Sequence, residues 1–126
     1  MSQNWYQDVL DFHTKFGCAI GNKPSMSDPN LLQFRYRLAG EEWDELMTAL
    51  SNRDLPKTVD SICDLIYVLI GMSIAFGVDL RPCWDAVQQT NMAKVGGGRR
   101  LDGKILKPEG WTPPDIEGLL LAQGDT

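Results

Sequence analysis

Four acids are spaced so that they could act together: Glu42, Glu45, Asp60 and Asp64. Glu42 and Glu45 are i,i+3, and Asp60 and Asp64 are i,i+4, so on helices each pair shares a face. Between the pairs lies Ser51-Asn52-Arg53-Asp54, a turn by composition. A short loop between helices makes them antiparallel neighbours, and residues equidistant from the loop then lie level. Measured from a centre near 52–53, Glu45 stands opposite Asp60, and Glu42 stands opposite Asp64 to within about one residue, or roughly 1.5 Å of rise. Four carboxylates therefore converge. Like charges that close repel, and desolvation adds to the cost. Asp64, set in Ile62-Cys63-Asp64-Leu65-Ile66, is the sharpest case. A hard divalent cation would compensate the cluster, and oxygen ligands select Mg²⁺, Mn²⁺ or Ca²⁺ over zinc.

Each acid alone has a plainer reading. Glu41-Glu42-Trp43-Asp44-Glu45 could be a solvated charged face. Asp60 could be an early-helix acid favoured by the helix dipole. Asp64 could be capped by Arg35 or Arg37 across the hairpin. Only the matched registers on both helices favour a metal.

A second region has the opposite charge. Between Lys94 and Lys107, five cations (Lys94, Arg99, Arg100, Lys104, Lys107) face one anion, Asp102. That is +4 in a chain of net charge −5, so the remainder carries −9. Such an arm should meet something anionic, either the acidic hairpin itself or a phosphate chain. Gly96-Gly97-Gly98 would let backbone N–H groups approach phosphate oxygens, although the same run also serves as a plain flexible linker. Asn91 and Lys94 could present an amide and an ammonium to one ligand.

The elements that must position these residues are helical. Trp5, Val9, Phe12 and Phe16 recur at helical spacing over residues 3–17, with Gly17 and Gly21 to close the helix. Residues 22–30 read as a loop. A second helix is expected over about 31–50, interrupted by Gly40. A third is expected over about 56–76, opened by Pro56, ended by Gly77 and apolar almost all round from Ile62, so it belongs mid-bundle. Residues 80–93 make a fourth, and a short fifth fits 115–122. The arm, residues 95–114, should be ordered but irregular. Nothing alternates with period two for long. The expectation is a single all-α domain over 1–126: a four-to-five-helix bundle with an irregular basic C-terminal arm, assembling as a dimer or higher oligomer that hides the apolar third helix.

Bulk properties narrow the class. With 126 residues, 43% hydrophobic and 23% charged, the chain can bury a core without staples. Its net negative charge argues against nucleic acid as a partner. The longest uncharged run, Leu65–Val78, has 14 residues, short of the roughly 20 that span a bilayer, so no membrane partner is expected. Cys18, Cys63 and Cys83 form no C-x-x-C pair, and the N-terminus lacks the pattern of a signal peptide. Reduced thiols and a cytoplasmic location are the simplest expectation.

The ordered set of motifs resembles a known group. The pieces are Asp11-Phe12-His13 with Phe16-Gly17, Arg37-Leu38-x-x-Glu41-Glu42-x-x-Glu45-Leu46, and Asp60-x-x-x-Asp64-Leu65-Ile66-Tyr67-Val68 followed by Gly71. Asn91-Met92-x-Lys94, Asp102-Gly103-Lys104-x-x-Lys107 and Pro113-Pro114 complete the set. The chain resembles the all-α nucleoside triphosphate pyrophosphohydrolases, the MazG-like and phosphoribosyl-ATP pyrophosphohydrolase-like superfamily. That resemblance implies hydrolysis of a (deoxy)nucleoside triphosphate to the monophosphate and pyrophosphate, as nucleotide-pool house-cleaning. It implies Mg²⁺, with Mn²⁺ as a substitute, on the carboxylates, and a homodimer or homotetramer. The family pattern E-x-x-E then E-x-x-D is met by Glu42, Glu45 and Asp64. Ser61 stands where the pattern has Glu, and Asp60 is the natural substitute. Glu41 is the expected catalytic base. Lys94, Arg99, Lys104 and Lys107 are expected on phosphate, and Asn91 on phosphate, sugar or base. Trp43, Trp84 and Trp111 are candidates to stack on the base. The competing reading is a non-catalytic nucleotide- or metal-binding helical module, with Ser61 marking lost activity.

Overall fold

The computed structural model describes residues 4–124. They form five helices: α1 (Trp5–Phe16), α2 (Pro29–Ser51), α3 (Leu55–Ala75), α4 (Leu80–Met92) and α5 (Ile116–Gly124). The all-α expectation holds, and every expected helix is present with ends shifted by a residue or two. The starts are set by side-chain caps. Asn4, Asp28, Asp54 and Asp79 accept hydrogen bonds from first-turn amides of α1, α2, α3 and α4, each such cap contributing about 1 kcal/mol. Pro29 and Pro56 sit in the first turns of α2 and α3, where a missing N–H costs nothing.

The chain packs as two compact units, divided between Val78 and Asp79. In the first, α2 and α3 pack along their lengths and α1 packs on α3. The hairpin turn closes through Asn52, Arg53 and Asp54, with Arg53 in the left-handed region (φ 50°). The loop after α1 is tied to the end of α3: the Gly21 amide donates to the Ile74 carbonyl (3.0 Å) and the Ser25 amide to the Phe76 carbonyl (2.9 Å). Gly77 turns the chain there at φ 76°, where a side chain would also run into the Lys23 carbonyl.

The core of this unit is small: Val9, Ala49, Ile70, Ile74 and Ala75. Within this chain only one side of α3 is covered. Ile62 stays 42% exposed and Leu69 46% exposed. The hairpin covers one face of a helix that is apolar on several. α3 is also long and apolar enough to cross a membrane by length and composition alone, with a mean hydropathy of 1.6 over its best window. Core helices of soluble proteins meet the same test, and α3 packs on both α1 and α2.

In the second unit α4 packs with α5. The Gln123 amide bonds both the N–H and the carbonyl of Asp79 at 2.9 Å. The arm is irregular, as expected. It holds one antiparallel bridge between Arg99 and Ile105, and its turn is closed by Arg100 donating to Asp102 through Nε (2.9 Å) and Nη2 (2.6 Å). The Trp111 indole N–H donates to the Thr90 carbonyl at the end of α4 (2.7 Å) and anchors the arm's return.

Candidate metal centre

α2 carries Glu42 and Glu45 one turn apart, and α3 brings Asp64 across to them. One carboxylate oxygen from each lies within 4.8 Å of the others. The register expected from the turn therefore places three of the four acids together. Glu42 and Asp64 are half-buried and Glu45 is exposed. Among the described residues, no Lys or Arg pairs with any of the three, and Arg35, one candidate to cap Asp64, is engaged elsewhere.

Asp60 lies outside this group. It is exposed and sits 3.7 Å from the Lys57 ammonium one turn back. The geometry explains the difference. At about 100° per residue, position 60 falls some 40° to one side of Asp64 and position 61 some 60° to the other. The first of these directions faces outward, where Asp60 is exposed and meets Lys57. The second is the interior: Ser61 is fully buried, with a hydroxyl that has no hydrogen-bond partner.

The electrostatic strain falls on Glu42. Burial raises the Glu42 carboxyl above the ordinary glutamate range, and Glu45 and Asp64 push it further in the same direction. A hydrogen bond shared with Glu45, and the charge of Glu41, add to the shift. Glu42 Oε2 is buried and has no partner. An unpartnered buried carboxylate oxygen among like charges, with no ion pair from the described residues, fits a hard divalent ion held through oxygen. Glu41 is exposed beside the three, on the next position of α2.

The substrate residues expected on the arm divide. Asn91, Lys94 and Arg99 line one hollow of about 320 Å³, together with Gly96, Gly98 and Ile105. Lys104 lies in the turn that closes the bridge, where its amide donates to Asp102. Lys107 does not line the hollow but meets Lys94 at Trp111. The two ammonium groups lie 4.9 and 5.4 Å from the indole centroid, within the range of a cation–π contact. Of the other two Trp candidates, Trp43 and Trp84 are exposed.

A second buried polar group went unnoticed in the sequence. Arg35 of α2 is 5% exposed and His13 of α1 is 3% exposed. The His13 Nδ1–H donates to the Ala19 carbonyl (2.8 Å), which leaves Nε2 to accept from Arg35 Nη2 (3.3 Å). Burial and the neighbouring guanidinium lower the His13 pKa and keep the ring neutral. Gly71 of α3 makes the space: a Cβ there would lie 2.8 Å from His13 Nε2 and 2.9 Å from Arg35 Nη1. The Asp11-Phe12-His13 motif and Gly71 were the only signals in the sequence, and neither pointed to Arg35.

Comparison with known proteins fits this geometry. The family model for phosphoribosyl-ATP pyrophosphohydrolase matches residues 9–91, which include α2, α3 and all three clustered acids. The chain belongs to that family. It is also 32% identical over 79 residues to an uncharacterized protein of Acanthamoeba polyphaga mimivirus. The match covers 60% of this chain and 32% of that relative, so the chain spans about a third of the relative's length. The family is one of pyrophosphohydrolases acting on nucleotide-like substrates, and it is typically metal-dependent.

Proposed function

We propose that the chain hydrolyses a nucleoside or deoxynucleoside triphosphate to the monophosphate and pyrophosphate, using Mg²⁺ held by Glu42, Glu45 and Asp64. The observation that carries this is the cluster itself: three carboxylates within 4.8 Å, one with a buried unpartnered oxygen, and no cation from the chain to balance them. Mn²⁺ would serve the same oxygen set.

The bound ion would neutralise triphosphate charge and favour a nucleophilic water. The chain's residues do the rest. Glu41, exposed beside the cluster, takes the proton of the attacking water. Water oxygen bonds to the α-phosphorus, the α–β bridging bond breaks, and pyrophosphate leaves with the electron pair. Asn91, Lys94, Arg99, Lys104 and Lys107 are the proposed contacts to the phosphate chain, and charge-assisted bonds to phosphate are the strong kind. The half-exposed outer face of α3, with Ile62 and Leu69, supports a homodimer or homotetramer in which a second copy covers it. A cytoplasmic, pool-cleansing role follows from the reaction proposed.

Three clustered acids, where the family pattern has four, favour one alternative, a module that binds nucleotide without turning it over. A product assay separates the two. The protein is incubated with a panel of (d)NTPs and Mg²⁺, and monophosphate and pyrophosphate are expected in equal amounts from at least one. Diphosphate with inorganic phosphate, or no product from any, would overturn the proposal.

A further inference from the structure

Ser61 is a polar group that the fold buries and leaves unpaired. It is 0% exposed, and its Oγ has no hydrogen-bond partner among the protein groups. Hydroxyls on these helices ordinarily return to the backbone. Thr14 donates to the Leu10 carbonyl (2.9 Å) and Thr48 to the Asp44 carbonyl (3.0 Å), each four residues back. Ser61 does not. A buried hydroxyl without a partner is left with its full desolvation cost, so something should meet it.

Its position says what. Ser61 and Asp64 are i,i+3 on α3 and share its face. Asp64 reaches Glu42 and Glu45 from that face. Glu42 Oε2, the other unpartnered buried oxygen of the centre, belongs to the same cluster. One orphan oxygen thus belongs to the three carboxylates, and a neutral one sits one turn before Asp64 on α3.

The number of ligands bears on how many ions fit. Three carboxylates are one negative charge from balancing one divalent cation and one positive charge from balancing two, so charge alone does not set the count. Two ions would stand about 3.5–4 Å apart and need ligands on both flanks. Asp60, which could have supplied the second flank, is exposed beside Lys57. Mg²⁺ takes near-octahedral oxygen coordination and keeps several waters, and a hydroxyl can donate to or accept from such a water.

We infer that the centre holds one divalent cation per chain, and that Ser61 Oγ is a positioning group that anchors a water on that ion. This rests on the metal reading proposed above. In this chain a neutral hydroxyl stands where the E-x-x-D pattern has a carboxylate, and no fourth carboxylate is left in the cluster to hold a second ion.

The test counts ions on the full chain without relying on turnover. Mg²⁺ binding is followed by calorimetry, and Mn²⁺ binding by electron paramagnetic resonance, on the native chain, Ser61→Ala and Ser61→Asp. The native chain should take one equivalent and give a magnetically isolated Mn²⁺ signal. Ser61→Ala should keep one equivalent with affinity weakened about tenfold, the usual scale for an outer-sphere partner. Ser61→Asp, which restores a fourth carboxylate, should take two and show exchange coupling. Two equivalents on the native chain, unchanged affinity in Ser61→Ala, or a folded Ser61→Asp that still takes one, would overturn the inference and leave the metal centre standing. No binding to the native chain would overturn both. If Ser61→Asp fails to fold, the native count and Ser61→Ala decide.

Discussion

α2 carries a buried Arg35 and a half-buried Glu42, charges of opposite sign seven residues apart, and the fold treats them differently. At Arg35 the chain supplies an answer from within: a neutral imidazole whose own N–H is fixed by Ala19, in a space kept open by Gly71. At Glu42 it supplies none. The nearest groups are further acids, and they make the burial worse. A stability argument alone would remove Glu42, since an uncompensated buried charge is costly. The contrast separates a buried charge that holds three helices together from a half-buried one that finds no partner within the described chain.

Several changes would break or sharpen that contrast. The largest effect should come from Asp64→Asn or Glu45→Gln. Each removes a negative charge from the centre, and the rate of pyrophosphate release should fall at least about 100-fold, with each factor of ten equal to about 1.4 kcal/mol of barrier. Both should unfold in urea at or above the native midpoint, because repulsion is relieved. Parallel kinetics and denaturation curves check both halves.

Gly71→Ala should do the reverse. Its methyl group would meet His13 and Arg35 below 3.0 Å, and overpacking of this kind costs about 1–3 kcal/mol. The urea midpoint should drop, while Mg²⁺ affinity in the folded fraction stays the same. Arg35→Met keeps the length of the side chain and removes the buried charge. Its stability should stay within about 1 kcal/mol of native, because an apolar replacement for a buried ion is often neutral. A larger loss would mean that the guanidinium is more than a filler between α1 and α3.

The smallest effect concerns pH. The Glu42 carboxyl is raised in the folded chain, so that state keeps its proton where the unfolded chain has lost it. Without metal, this group's stabilising contribution is present below about pH 4.3 and is lost as pH climbs through the raised folded value. Melting temperatures of metal-free native protein and Glu42→Gln across that range should converge at the acid end and separate above it, with the variant more stable. A native chain that gains stability relative to Glu42→Gln as pH rises would contradict the unpartnered state of Oε2.

Much of this was legible in the sequence. Helical period, Pro56, Gly17 and the polar turn at 51–54 placed five helices and the antiparallel hairpin. The hairpin in turn put Glu42, Glu45 and Asp64 level with one another. Whether Asp60 or Ser61 completes that face was harder to see, because i−4 and i−3 both count as neighbours on a helix. Only the direction of packing tells that one looks out beside Lys57 and the other looks in. The pairing of Arg35 with His13 spans 22 residues and depends on the absent side chain of Gly71, so no local pattern announces it. Apolar residues all round a helix do not say whether one chain or two will cover them, and within this chain Ile62 and Leu69 on α3 stay exposed.

The central claim is that the carboxylates of α2 and α3 lack a partner which a divalent ion supplies. Thermal melts of the native chain and Asp64→Asn, each with and without excess Mg²⁺ at neutral pH, test it most directly. An ion that binds only the folded state at this site should raise the native melting temperature in proportion to the logarithm of its concentration and leave Asp64→Asn unmoved. An equal rise in both proteins, or none in the native chain, would contradict it.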